Sequence, residues 1–213
     1  MLCVAAGLLA SGASAQQGAK TAAKQHARTD GEPATAAYAE RYGQLCAACH
    51  GINGRSDLPG TPTLAGQPAF YVMTQLFLFR EGRRANEAMI AIAKPMRDED
   101  LRGFSNYIGT LAPVAPPAPD PAPDPARMRT GQQLAQQHRC AFCHGPDLEG
   151  QTQVPRLAGQ REDYLKAALT GFRTGTRVGY TPQMAESVNR LPQEDLDAVA
   201  YYAARLPATT PRN

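Results

Sequence analysis

Cys46-Ala47-Ala48-Cys49-His50-Gly51 and Cys140-Ala141-Phe142-Cys143-His144-Gly145 are two copies of one pattern, and the rest of the chain is organised around them. Two cysteines separated by two residues and followed at once by histidine form the attachment signature of c-type haem. On one helical turn the two thiols lie near one edge of the macrocycle, where they add to its vinyl groups. The next residue then brings an imidazole beneath the iron. Cys46, Cys49, Cys140 and Cys143 are therefore expected to hold two covalent haem c groups, with His50 and His144 as metal ligands. Zinc binding, a thioredoxin-like redox pair and plain disulfides are the other uses of paired cysteines. None of them calls for a histidine directly after each pair.

The repetition extends well beyond the cysteines. Leu64-Ala-Gly-Gln67 returns as Leu157-Ala-Gly-Gln160, and Tyr71 returns as Tyr164. Phe79-Arg80-x-Gly82 matches Phe172-Arg173-x-Gly175, and Glu99-Asp100-Leu101 matches Glu194-Asp195-Leu196. The chain is a duplication. Between the copies runs a segment dense in proline, Pro113 to Pro125, which suits an extended polyproline II spacer. The expected division is a first unit over 33–112, a linker over 113–126 and a second unit over 127–213.

Ahead of the first unit, Leu2–Ala10 is apolar and Ala13-Ser14-Ala15 resembles an A-x-A cleavage site, so residues 1–15 read as an export signal. Residues 16–32 are polar and read as a disordered lead-in. Cys3 is given no role.

Each unit reads as all-α. Helical approaches over 36–49 and 131–143 lead into the cysteines. Middle helices are expected over 68–81 and 161–172, and last helices over 98–111 and 193–206. Leu101, Phe104, Tyr107 and Leu111 recur at helical spacing, as do Leu196, Val199, Tyr202 and Leu206. No stretch alternates as a strand would.

The second axial ligand is expected from the far side of each haem. His26 lies in the lead-in and His138 two residues before Cys140, on the attachment side, which turns attention to methionine. Met89 and Met184 alone share a place in the repeat, 39 residues after His50 and 40 after His144. They are the expected metal ligands, whereas Met73 and Met96 read as core fillers and Met128 precedes its attachment site, as no methionine of the first unit does. Carbonyls at Pro62 and Pro155 are placed to accept the imidazole N–H and fix the ring. Arg80, Arg173, Arg84 and Arg177 are candidates for haem propionates or for ordinary solvated faces. Tyr71 and Tyr164 are left between packing and propionate contact.

With CAACHG, P-x-L-A-G-Q, Y-x-x-x-Q-L-x-x-F-R-x-G-x-R, an isolated Met and D-E-D-L in one half and their echoes in the other, the chain resembles the cytochrome c4 family of dihaem class I cytochromes c. The likeness spans Tyr38 to Leu206. It implies two tandem class I cytochrome c domains, His/Met ligation by His50 with Met89 and by His144 with Met184, and single-electron shuttling from a respiratory donor to an oxidase or other acceptor. It also implies a location in the periplasm, either free or associated with the outer face of the inner membrane. The chain departs from the family in a longer linker, which argues against a fixed two-fold packing of the units. It also reads Ala167-Ala168-Leu169 where the first unit has Thr74-Gln75-Leu76.

An electron carrier rather than an enzyme is thus expected. A cytochrome subunit of a periplasmic dehydrogenase and, more remotely, a dihaem peroxidase are the alternatives. Composition agrees: 43% of residues are hydrophobic, 7% aromatic and none is Trp, so a large cofactor would supply core volume. The formal charge of +3 falls to about −1 once four haem propionates ionise. That leaves no basis for nucleic-acid binding, and redox proteins are the partners to expect.

Overall fold

A computed structural model describes residues 31–114, 122–177 and 182–208. The proposed export signal lies outside these residues, as does most of the polyproline stretch. Among them every regular element is a helix, and the extended pairing is confined to a bridge between Gln151 and Val154. Unit one comprises α1 (Gly31–Leu45), α2 (Ala47–His50), α3 (Ala69–Arg80), α4 (Glu87–Ala93) and α5 (Asp98–Thr110). Unit two repeats the order with α6 (Pro125–Gln137), α7 (Cys140–His144), α8 (Glu162–Thr174), α9 (Gln183–Val188) and α10 (Gln193–Ala204).

Local chemistry sets the helix starts. Asp98, Glu99 and Asp100 occupy the first turn of α5, where the helix dipole favours negative charge. Pro125 stands at the first position of α6, which needs no N–H donor, and the Asp124 carboxylate accepts from Ala126 N at 2.7 Å. That helix therefore begins inside the stretch read as linker, as α1 begins inside the stretch read as lead-in. The segments carrying Met89 and Met184, between the middle and last helices, are the short helices α4 and α9. Asn86 nucleates the first of them by accepting from Met89 N at 2.9 Å.

Each unit has its own core. Tyr42, Val72, Leu76, Phe79, Leu101, Phe104 and Ile108 meet in unit one, where α1 and α3 pack on α5. The core of unit two is smaller in side-chain volume, with Leu148, Leu165, Ala200, Ala203 and Ala204 between α8 and α10. In both units the first and last long helices cross closely over glycine, but on opposite partners. A Cβ on Gly103 of α5 would lie 2.0 Å from the Tyr38 ring of α1, and one on Gly131 of α6 2.3 Å from Ala198 O of α10. Unit one adds a buried polar tie: Asp100 accepts from Arg41 at 2.6 Å and from Tyr38 at 3.1 Å. Burial pulls the Asp100 carboxyl upward, yet the Arg97 N–H, Arg41 and Tyr38 outweigh it and hold the group below its ordinary range.

The units are clasped reciprocally. Gln67 donates to Arg156 O at 2.9 Å and accepts from Arg156 N at 3.2 Å. Gln160 donates to Thr63 O at 2.8 Å and accepts from Thr63 N at 2.8 Å. Gln67 and Gln160 are equivalents in the repeat, and so are Thr63 and Arg156. The contact is consequently a two-fold one, with each unit offering the same amide to the same backbone position of the other. The longer linker does not prevent it, because four hydrogen bonds between buried groups decide the geometry instead. Among the described residues no helix is long and apolar enough to cross a membrane.

Candidate functional site

The two attachment turns are built alike. Cys46 N donates to Tyr42 O at 2.9 Å as α1 ends, and His50 N returns to Cys46 O at 2.9 Å, so one helical turn carries both thiols and the imidazole. Gly51 and Gly145 follow with φ of 76° and 85°, a backbone that reverses the chain beside the histidine. A Cβ at Gly51 would meet Arg55 O at 2.0 Å. The chain then returns over the ring. His50 Nδ1 lies 2.9 Å from Pro62 O and His144 Nδ1 2.8 Å from Pro155 O, as the sequence suggested.

That pair of contacts assigns the tautomer. A carbonyl only accepts, so Nδ1 carries the proton and Nε2 presents its lone pair, with no partner for Nε2 among the described residues. Both rings are 7% exposed, and burial lowers the pKa of each, favouring the neutral imidazole that binds metal. Burial also pushes the Cys46 thiol up to about 11 and raises Cys140, while Cys49 and Cys143 stand exposed. No group of three or more His, Cys, Asp or Glu converges among the described residues, so the donor set does not suit a zinc cluster. It does suit haem c twice over: a free thiol pair, a fixed nitrogen donor and an apolar surround. His138 Nε2, beside the second attachment turn, is buried without a partner among the described residues, as suits an atom that a bound polar group satisfies.

Met89 on α4 and Met184 on α9 are both half-buried, Met89 against the unit-one core. Met96 is 8% exposed within that core, as a filler should be. The arginines divide. Arg80 bonds Asp98 at 2.8 Å and Met96 O at 3.3 Å, and Arg173 bonds Gln193 at 2.5 Å and Leu191 O at 3.1 Å. These two tie the middle helix to the start of the last one. Arg84 and Arg177 instead cross between the units. Arg84 donates to Tyr164 OH at 3.0 Å, and Arg177 donates to Tyr71 OH at 3.3 Å. Burial raises the Tyr71 phenol, whereas at Tyr164 the two guanidiniums overcome burial and lower it. Arg84 also donates to Gln75 at 2.6 Å. Ala168 stands at the matching place in unit two, so the departure seen in the sequence removes that support from Arg177.

Fold and site together define a helical protein of two tandem c-type haem-binding domains. A sequence profile described as Cytochrome c matches residues 39–112 and again 128–206. Cytochrome c4 of Thiocapsa roseopersicina is 35% identical over 164 residues, covering 74% of this chain and 85% of its own. A thiosulfate dehydrogenase electron acceptor of Thiomonas intermedia is 31% identical over 191 residues, covering 82% and 84%. The crystal structure of reduced recombinant cytochrome c4 from Pseudomonas stutzeri superposes with a TM-score of 0.69 at 28% identity, over 83% of this chain and 98% of that one. The chain belongs to the cytochrome c family and, within it, to the dihaem cytochromes c4. It is an electron-transfer protein with two covalently bound haem c groups, and not an enzyme.

Proposed function

We propose that Cys46 and Cys49 hold the first haem with His50 and Met89 as its axial ligands, and that Cys140 and Cys143 hold the second with His144 and Met184. The carrying observation is the repeated Nδ1–carbonyl contact at Pro62 and Pro155, 2.9 and 2.8 Å long, which aims a bare Nε2 from a buried ring. A haem so held supplies a one-electron ferric/ferrous couple. The protein's part is to keep the ligands still. The proline carbonyls fix each imidazole, the Met89 and Met184 thioethers would hold the irons from the other side and raise the potential, and burial keeps water from the rings. With His50 and Met89, and His144 with Met184, holding the irons, each haem would be closed to substrates and would serve electron transfer alone.

The same reading takes residues 1–15 as an export signal and 16–32 as a lead-in, with domains over 33–112 and 127–213 joined by 113–126. It makes the mature protein a periplasmic carrier from a respiratory donor to a terminal oxidase, free or attached to the outer face of the inner membrane. A second role, acceptor for a periplasmic dehydrogenase, is favoured by the likeness to the thiosulfate dehydrogenase electron acceptor. Mass spectrometry of the exported protein tests the core claim: two haems per chain are expected, and one in a variant with Cys140→Ala and Cys143→Ala. An unaltered chain carrying fewer than two would refute it. Co-purification with a larger catalytic subunit would select the dehydrogenase role over the oxidase one.

A further inference from the structure

The two attachment turns differ most where they face solvent. Leu45, Ala48 and Ile52 of unit one correspond to Arg139, Phe142 and Pro146 of unit two. Leu45 ends α1 in helical conformation, but Arg139 adopts φ 55° and ψ 34°, the left-handed region that an L side chain avoids. That backbone sets the Arg139 guanidinium 5.1 Å from the centroid of the Phe142 ring. Phe142 is 73% exposed, more than any other large apolar side chain among the described residues, and it directly precedes the exposed Cys143. The left-handed residue closes α6, a place glycine usually takes, and here it also holds a cation beside an exposed aromatic on the solvent side of the turn.

Charge gives the surface its direction. From Pro125 to Gly145 the chain carries Arg127, Arg129 and Arg139 and no Asp or Glu. The matching run in unit one, Gly31 to Gly51, carries Glu32, Glu40 and Arg41, and Arg41 is spent on Asp100. Beyond the run, Asp147 is exposed and Glu149 is buried, its carboxylate turned to the Asp147 N–H at 2.9 Å.

We propose that Arg139 and Phe142 form the docking anchor at the second haem edge for a redox protein with an acidic face around its own cofactor. The aromatic supplies contact area that is cheap to order, and the arginine supplies steering and orientation. The inference rests on the reading that Cys140 and Cys143 carry the second haem. Unit one, neutral and aliphatic at the same place, is left to a different partner surface.

The test uses the full dihaem chain in its ferrous form, oxidised in stopped flow by three probes: hexacyanoferrate(III), the tris(phenanthroline)cobalt(III) cation, and plant plastocyanin as an acidic blue-copper protein. R139E should slow hexacyanoferrate(III) several-fold at low salt and speed the cobalt cation, with high salt erasing both effects. R102E, an equal change of net charge on exposed α5, should do much less. R139G relaxes the backbone while removing the charge and should slow the anion too, whereas R139K restores it. F142S should weaken saturation by plastocyanin and leave both small ions unaffected. If R139E and R139G match R102E, or if plastocyanin saturates F142S as it does the unaltered chain, the proposal is overturned. A chain that no probe oxidises would instead overturn the haem reading beneath it.

Discussion

Replacing Gln160 with alanine should open the contact between the two units. Its amide makes two hydrogen bonds of 2.8 Å to the Thr63 backbone and a third of 3.0 Å to Arg161 N. Thr63 is 7% exposed, so its N–H and C=O would lose their partners inside the contact. Each such orphan costs about 1–3 kcal/mol, which gives roughly 2–6 kcal/mol against docking, the lower end applying where water enters the space left by the amide. At 2 kcal/mol the undocked form becomes about thirtyfold more populated. The linker keeps the halves at high effective concentration, so the chain remains one molecule while its clasp loosens. Hydrogen exchange on the haem-loaded protein reports this amide by amide. Thr63 N–H should exchange about thirtyfold faster, and Arg156 N–H, held by Gln67 on the other side of the two-fold, should speed with it because the clasp opens as a unit. Gln67→Ala should give the same pair of changes. Protection at Arg156 that stays within about threefold of the parent would refute a cooperative clasp.

Four other outcomes follow. Met184→Ala should turn one centre, and one only, into a form that binds carbon monoxide, with half of the red-end Met-to-iron band lost; an unchanged spectrum would remove Met184 from the iron. Gly131→Ala places a Cβ against Ala198 O and should cost about 1–3 kcal/mol in urea unfolding, whereas Gly60→Ala, with nothing within 4 Å of its Cβ, should cost only the left-handed strain of about 1 kcal/mol. The Asp100 carboxyl lies below its unfolded value near about 4, so its stabilisation is complete above that pH and drains as pH falls through the lowered folded value; Asp100→Asn should flatten this acid limb of the urea midpoint. At Tyr164 the phenol is lowered from the usual value near about 10, so docking should tighten as pH rises through the interval below 10, and Tyr164→Phe should abolish that rise.

The parts of this protein carried by short contiguous motifs were readable from the sequence. Each attachment turn is local, and the duplication declares itself because the same residues recur in the same order. The proline carbonyls over His50 and His144 were within reach of the same argument, as they lie a short chain distance away. Helices α4 and α9 escaped because 7 and 6 residues are too few to show a period. The Asn86 cap was the available signal. Contacts between units were invisible for another reason: pairs such as Gln67 with Arg156 join positions far apart, and no periodicity reports them. Their recurrence at matching places was visible, yet recurrence alone does not separate a residue facing its own haem from one facing its twin. Arg80 and Arg84 illustrate this, four positions apart on the chain and bound in opposite directions.

The reciprocal clasp has an evolutionary reading. A surface that offers the same amide to the same backbone on its mate is self-complementary, the property of a homodimer written into a single gene. In a homodimer every substitution strikes both halves at once. Covalent tandem arrangement releases that constraint, and the pairing of Gln75 with Ala168 shows the release in use: one half supports its crossing arginine with an amide and the other does without it. Two sites that began as copies can thereby drift to different redox characters without parting company.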